Sequence, residues 1–138
     1  MDIVFSANNN EEIKILPIVP AESPEISTEQ KNETFDTVNN GTLQLIGDMG
    51  LKSLSISSIF PCNDYKWIKS GSSTDGWSYV NFFEKWRKAK VPIRCVIIGK
   101  DGKVVLNIAC LINNFTYREK RIGDIAYTLD IVEYRFVK

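Results

Sequence analysis

The chain has 138 residues, 43% of them hydrophobic and 25% charged, with 17 Lys+Arg against 17 Asp+Glu. That composition fits one globular domain with its own core, and a net charge of zero argues against a dedicated nucleic-acid binder. Histidine is absent, which removes the commonest general base, the commonest metal ligand and every Ser-His or Cys-His arrangement.

The N-terminal residues Asp2 to Ser6 alternate as a short strand, and Asn8-Asn9-Asn10 makes a turn. No basic region precedes an apolar one here, so no secretion signal is expected. No apolar run in the chain approaches the ~20 residues of a membrane span. Glu12 to Val19 places Ile13 and Ile15 on one side and then meets Pro17, which implies an edge, a bulge or an end. Residues 20–41 change character and become polar. They read either as a solvated loop with one strand inside it, Glu33 to Val38, or as an arm that orders against a neighbouring subunit.

Asn39-Asn40-Gly41 is a turn signal, followed by a strand at Thr42 to Ile46 and a second turn at Gly47-Asp48-Met49-Gly50. That second turn opens no helix and lacks Gly-Lys-Thr, so it is not a phosphate loop. Leu51 to Phe60 alternates: Leu54 and Ile56 define a buried face, and Ser53, Ser55 and Ser57 a hydroxylated one. No base accompanies those serines. Asp75, or Thr74, is placed to cap a helix that runs from Trp77 to Lys90. Its apolar residues Tyr79, Val80, Phe82, Phe83, Trp86 and Ala89 span an arc of about 180°, wider than one core contact requires. Core packing accounts for most of these aromatics. Trp67 and Trp77 remain as candidates for a partner or sugar surface.

Val91 to Ile112 carries the strongest local signal, two β-branched runs around Asp101-Gly102. A two-residue turn there makes partners sum to 203, so Ile97 faces Leu106, Cys95 faces Ile108 and Ile93 faces Cys110. These six form the core face. The opposite face, with Val96, Ile98 and Val105, is too apolar to stand in water, and the preceding helix is its nearest cover. The three cysteines, Cys62, Cys95 and Cys110, are expected to be reduced thiols. Beyond Asn113-Asn114 the strand resumes at Phe115 to Arg118 past a bulge. A charged connection containing Arg118, Lys120 and Arg121 reads as a solvated turn. The last strand, Ile125 to Phe136, changes apolar parity at Val132, as a bulge or a change of partner would require. The carboxylates Asp48, Asp64, Asp75, Asp124 and Glu133 show no spacing that forces a convergent pair, so ionic or capping roles are expected of them.

One order of short motifs is distinctive: Ile15-Leu16-Pro17-Ile18-Val19-Pro20, Gly41-Thr42-Leu43-Gln44-Leu45-Ile46-Gly47, Leu54 to Pro61, Tyr79 to Arg87, Pro92-Ile93-Arg94, Gly123 to Leu129 and Glu133-Tyr134-Arg135. In that order the chain resembles the N-terminal domain of the LysM-containing tail and baseplate proteins of PBSX-type prophages, contractile phage tails and phage tail-like bacteriocins. The resemblance implies a baseplate location in a virion or tail-like particle assembled in the bacterial cytoplasm. It also implies contacts with hub, tail-tube and other baseplate proteins. Members usually carry a C-terminal LysM module. These 138 residues end shortly after Glu133-Tyr134-Arg135, so only the structural role carries over, not peptidoglycan binding.

The expected architecture is a single α+β domain over residues 1–138, mainly antiparallel β-sheet as a sandwich or partly closed barrel, with one packed α-helix. The expected function is structural, with no catalytic, metal or cofactor site: a baseplate component joining tube or hub to its surroundings, as a homo-oligomeric ring. Candidate interface residues are Trp67, Trp77, Val96, Ile98 and Val105. The competing reading is a cell-wall glycan-binding module that uses exposed tryptophans.

Overall fold

Alternating side chains build most of the strands, and nine are found in a computed structural model that describes residues 1–20, 22–63, 65–66 and 68–135. They are β1 (Asp2–Ala7), β2 (Glu12–Ile15), β3 (Ser27–Gln30), β4 (Glu33–Thr37), β5 (Gly41–Leu45), β6 (Met49–Phe60), β7 (Ile93–Ile98), β8 (Val104–Glu119) and β9 (Ile125–Glu133). The helix α1 (Gly76–Lys88) lies between β6 and β7. Seven strands form an open sheet in the order β2-β1-β7-β8-β9-β6-β3, and β4 and β5 form a separate two-stranded ribbon. Every pairing is antiparallel. The α+β class with one packed helix is therefore as the sequence implies.

The β7–β8 hairpin keeps the expected register, Ile93 with Cys110, Cys95 with Ile108 and Ile97 with Leu106. Its turn differs from expectation. Only Gly102 has positive φ, and the Gly99 N–H donates to Lys103 O at 2.8 Å, so three residues make the loop. A register shift after Ile97 pairs Ile98 with Val104 and leaves Val105 as the extra residue. The longer loop and the bulge offset each other, which restores the parity of the rest of β8.

The helix packs on the face that carries Ile93, Cys95 and Ile97. Phe83 meets Phe5 of β1 at 5.0 Å and Phe60 of β6 at 6.2 Å between ring centroids. In a flat sheet β1 and β6 would lie four strand spacings apart, about 19 Å. One ring touching both means that the sheet curls around α1. The Oγ of Ser58 on β6 also reaches Ile18 O, just beyond β2, at 2.9 Å. The expectation that α1 covers Val96, Ile98 and Val105 is thus overturned. Its large aromatic face requires the concave side, where Phe5, Phe60 and Phe115 supply complementary rings.

Both helix ends are defined by backbone geometry. Asp75 occupies the N-cap position without a side-chain cap bond, contrary to expectation; Ser78 instead bonds Asp75 O through its N–H and its hydroxyl. At the C-terminal end Lys90 has φ of 59°, Lys90 N–H donates to Arg87 O and Val91 N–H to Trp86 O. This is the left-handed helix stop in which two orphan carbonyls are satisfied, and Pro92 follows it.

Two more departures concern polar sequence. Ser27–Gln30 forms an edge strand on β6 where no strand is expected, because an edge strand pairs through its backbone and needs no apolar side chain. The bulge expected at Asn113-Asn114 is present in β8, between Ile112 and Asn114, but the bulge or change of partner expected at Val132 is not found in β9 among the described residues. β9 runs unbroken along β6 from Ile125 to Val132, and Phe136 lies outside the described residues.

Candidate functional site

The ribbon β4–β5 projects from the sheet. Phe35 pairs with Leu43 and Glu33 with Leu45, so these four share one face, while Thr34, Asp36, Thr42 and Gln44 share the other. Phe35 is 42%, Leu43 39% and Leu45 51% exposed. Val38 at the tip and Ile46 near the base are more exposed still. The polar face is self-satisfied, with Thr42 Oγ1 donating to Asp36 Oδ1 at 2.7 Å. The base is stapled. Lys31 N–H donates to Asp48 O at 2.8 Å, Gly47 N–H to Asn32 Oδ1 at 2.9 Å and Gln30 Nε2 to Gly47 O at 2.9 Å. Gly47 is required there, since a Cβ would stand 1.6 Å from Lys31 O. An isolated two-stranded hairpin is marginal in water, yet here its apolar face has no cover.

A groove runs beside the end of α1, between Trp86, Val91 and Pro92 on one side and Leu111 and Ile112 on the other, with Arg87 and Lys90 at its rim. Trp86 is held by Nε1 donating to Glu12 Oε2 at 3.1 Å, and Lys85 pairs with the same carboxylate at 3.3 Å. Cys110 lies in its floor, where burial pushes the thiol up to about 12. Burial pushes the Cys95 thiol up further, with Cys110 adding to it. Both are packing groups rather than nucleophiles.

The convex face of the sheet divides in two. Across β8, β9 and β6 it is hydroxylated and internally bonded, with Ser55 Oγ donating to Asp130 at 2.6 Å and Ser57 meeting Thr128 at 3.0 Å. Across β1 and β7 it is apolar, with Val4 beside Val96 in register. Val96 and Ile98 are half-buried and Val105, at the bulge, is exposed. Lys69 pairs with Asp2 at 3.1 Å at this end. Trp77 is exposed on the helix side and set edge-on to Tyr117 at 6.1 Å. Trp77 is therefore not brought together with Val96, Ile98 and Val105. Trp67 and Asp64 lie outside the described residues.

Asp124, offered by the sequence only as one turn carboxylate among several, is the most connected polar group. It is 3% exposed. It accepts from Cys62 N–H at 2.8 Å, from Asn63 Nδ2 at 2.9 Å and from the Tyr65 hydroxyl at 2.5 Å. Burial acts to raise its pKa, but these donors and the field of Lys120 outweigh burial and hold the carboxyl below its ordinary value. All its acceptor capacity faces inward, so its work is to tie the β6–α1 connection to the β8–β9 turn. Among the described residues no group of three Cys, Asp or Glu is arranged to hold a metal ion, and no helix is long and apolar enough to cross a membrane.

No protein-family model matches the chain. The "Uncharacterized protein YqbP" of Bacillus subtilis (strain 168) is 32% identical over 127 residues, 87% of this chain and 53% of that protein. The chain thus spans about half the length of that relative. Among solved structures, a chain in the tail of an empty GTA particle, refined helically with C6 symmetry, superimposes with a TM-score of 0.55 at 14% identity, covering 99% of this chain and 93% of that one. A chain in the six-fold symmetrised baseplate of the anti-feeding prophage gives a TM-score of 0.53 at 12% identity, covering 97% of this chain and 89% of that one. The fold of this protein, over nearly its whole length, is one found in components of tail particles.

Proposed function

We propose that this protein is a structural component of a contractile tail or tail-like bacteriocin, placed in the baseplate, where a ring of copies joins the tail tube or central hub to surrounding baseplate proteins. The observation that carries this reading is the shared fold, end to end, with chains of two six-fold tail assemblies. The molecule's own surfaces support it. A ribbon with an uncovered apolar face suits a protein that is completed by its neighbours. The convex residues Val96, Ile98 and Val105, and Trp77 on the helix side, are further interface residues on this reading. No convergent acid-base pair or nucleophile with a base emerges from the described residues to favour catalysis. The glycan reading rests on Trp67, which lies outside the described residues, and on Trp77, which is exposed but packed at right angles to Tyr117.

The test is deletion of the gene in a strain that makes the particle, with electron microscopy of the products and mass spectrometry of purified wild-type particles. Missing baseplates or unsheathed tubes, with the chain present in wild-type particles, is the expected result. Normal particles after deletion, or particles without the chain, would overturn the proposal.

A further inference from the structure

We propose that the apolar face of the β4–β5 ribbon of one copy docks into the groove at the end of α1 of a second copy, joining copies head to tail. This rests on the ring-forming role proposed above and specifies its contact.

Three observations converge on a second copy as the occupant. The first is charge. On the docking face the ribbon carries one acid, Glu33, and no Lys or Arg, while Asp36 lies on the opposite, polar face. The groove rim carries Arg87 and Lys90, and none of its lining residues is acidic. Neither Arg87 nor Lys90 is ion-paired among the described residues; the contact of Arg87 is to Asn113 O at 3.5 Å. An apolar ribbon face edged by Glu33 and a basic-rimmed, apolar groove are complementary.

The second is shape and chemistry. Phe35, Leu43 and Leu45 form one uncovered row on an extended ribbon. The groove lies between the turn after α1 and the middle of β8, lined by Trp86, Val91, Pro92 and Ile112. Both surfaces are open in the single chain. The ribbon is stapled at its base through Asn32 and Gly47 in a pose that leaves its own row exposed, so its own groove remains unfilled.

The third is position in the strand order. The ribbon leaves from β3 and β6, at one end of the sheet, while the groove sits against β7 and β8 in its middle. Donor and acceptor patches on different parts of one molecule make a heterologous contact, which propagates from copy to copy and closes into a ring when the rotation allows.

The experiment is site-directed crosslinking of the full chain in a Cys62→Ser background with a short bismaleimide, using Leu43→Cys on the ribbon and Ile112→Cys in the groove. Leu43 is exposed and Ile112 half-buried, so the thermal unfolding of each variant is compared with that of the parent chain. An equimolar mixture of the two variants is expected to give a crosslinked dimer several-fold above either variant alone, and the double variant a ladder beyond the dimer. Adding Arg87→Glu should lower the yield several-fold, and Glu33→Arg on top of it should restore it. Mixed samples that crosslink no better than the single variants would overturn the proposal. So would Leu43→Cys coupling to itself as efficiently, or a yield indifferent to Arg87→Glu. A chain that stays monomeric throughout would also overturn this docking, while the tail role would still stand or fall on the particle experiment.

Discussion

The rings of Phe60 and Tyr127 lie parallel with centroids 3.8 Å apart, and Tyr79 of α1 stacks on Phe60 at 5.1 Å. This column joins β9, β6 and the helix across the concave side of the sheet. At its end the Tyr127 hydroxyl is buried with no hydrogen-bond partner among the described residues. Ser58, its partner across the β6–β9 ladder, donates its hydroxyl to Ile18 O. Burial, with Tyr79 adding to it, pushes the Tyr127 hydroxyl well above its ordinary value. Tyr127→Phe keeps the stack and removes an unsatisfied group, so it should raise stability by about 1 kcal/mol. Phe60→Ala removes the centre of the stack and should cost about 3–5 kcal/mol. Urea unfolding of both variants checks the contrast.

Asp124 makes stability depend on acid pH. Its carboxyl is held below its ordinary value, so the folded state binds that proton less readily than the unfolded one. The contribution is complete above the unfolded carboxylate pKa of about 4 and is lost as pH falls through the lower folded value. Asp124→Asn should cost about 1–3 kcal/mol at neutral pH and flatten the acid limb of a Tm-against-pH curve. Tyr65→Phe removes one of the donors to Asp124 and should shrink the acid limb, completing it at a higher pH while its start stays at the unfolded carboxylate pKa.

Gly76 opens α1 hard against β6. A Cβ there would lie 2.8 Å from Cys62 Sγ and 3.0 Å from Phe60 O. Alanine is the better helix former by about 1 kcal/mol, yet Gly76→Ala should lower Tm, because the Phe60 carbonyl belongs to a strand that cannot retreat.

Ribbon substitutions should separate folding from assembly. Phe35→Ser and Leu43→Ser alter exposed positions and should change the unfolding free energy of the single chain by less than about 0.5 kcal/mol. In the particle they should reduce incorporation of the chain, as measured by quantitative mass spectrometry. A loss of chain stability matching the loss of incorporation would assign the ribbon to the fold instead.

The thiols give a direct check on packing. Cys95 and Cys110 are fully buried and Cys62 is partly exposed. Brief alkylation of native protein should modify Cys62 alone, and alkylation in denaturant all three thiols.

The register of β7 against β8, the limits of α1 and the alternating face of β6 were legible in the sequence. Each depends on side chains within one hairpin or a few helical turns. Even there, the right register came with the wrong turn, because a three-residue loop and the bulge at Val105 cancel. Ser27–Gln30 left no trace in hydrophobic periodicity, since its pairing with β6 is a matter of backbone groups.

The sequence by itself determined which residues must be buried: the apolar row Ile93, Cys95, Ile97, Leu106, Ile108 and Cys110, and the aromatic stripe of α1. Local alternation and helical period state that directly. Only the tertiary structure decided where these surfaces meet. It put α1 on the concave side and left Val96, Ile98 and Val105 convex, and it gave Asp124 to donors about sixty residues away. Such choices turn on sheet curvature and on contacts between distant segments, which no local pattern records.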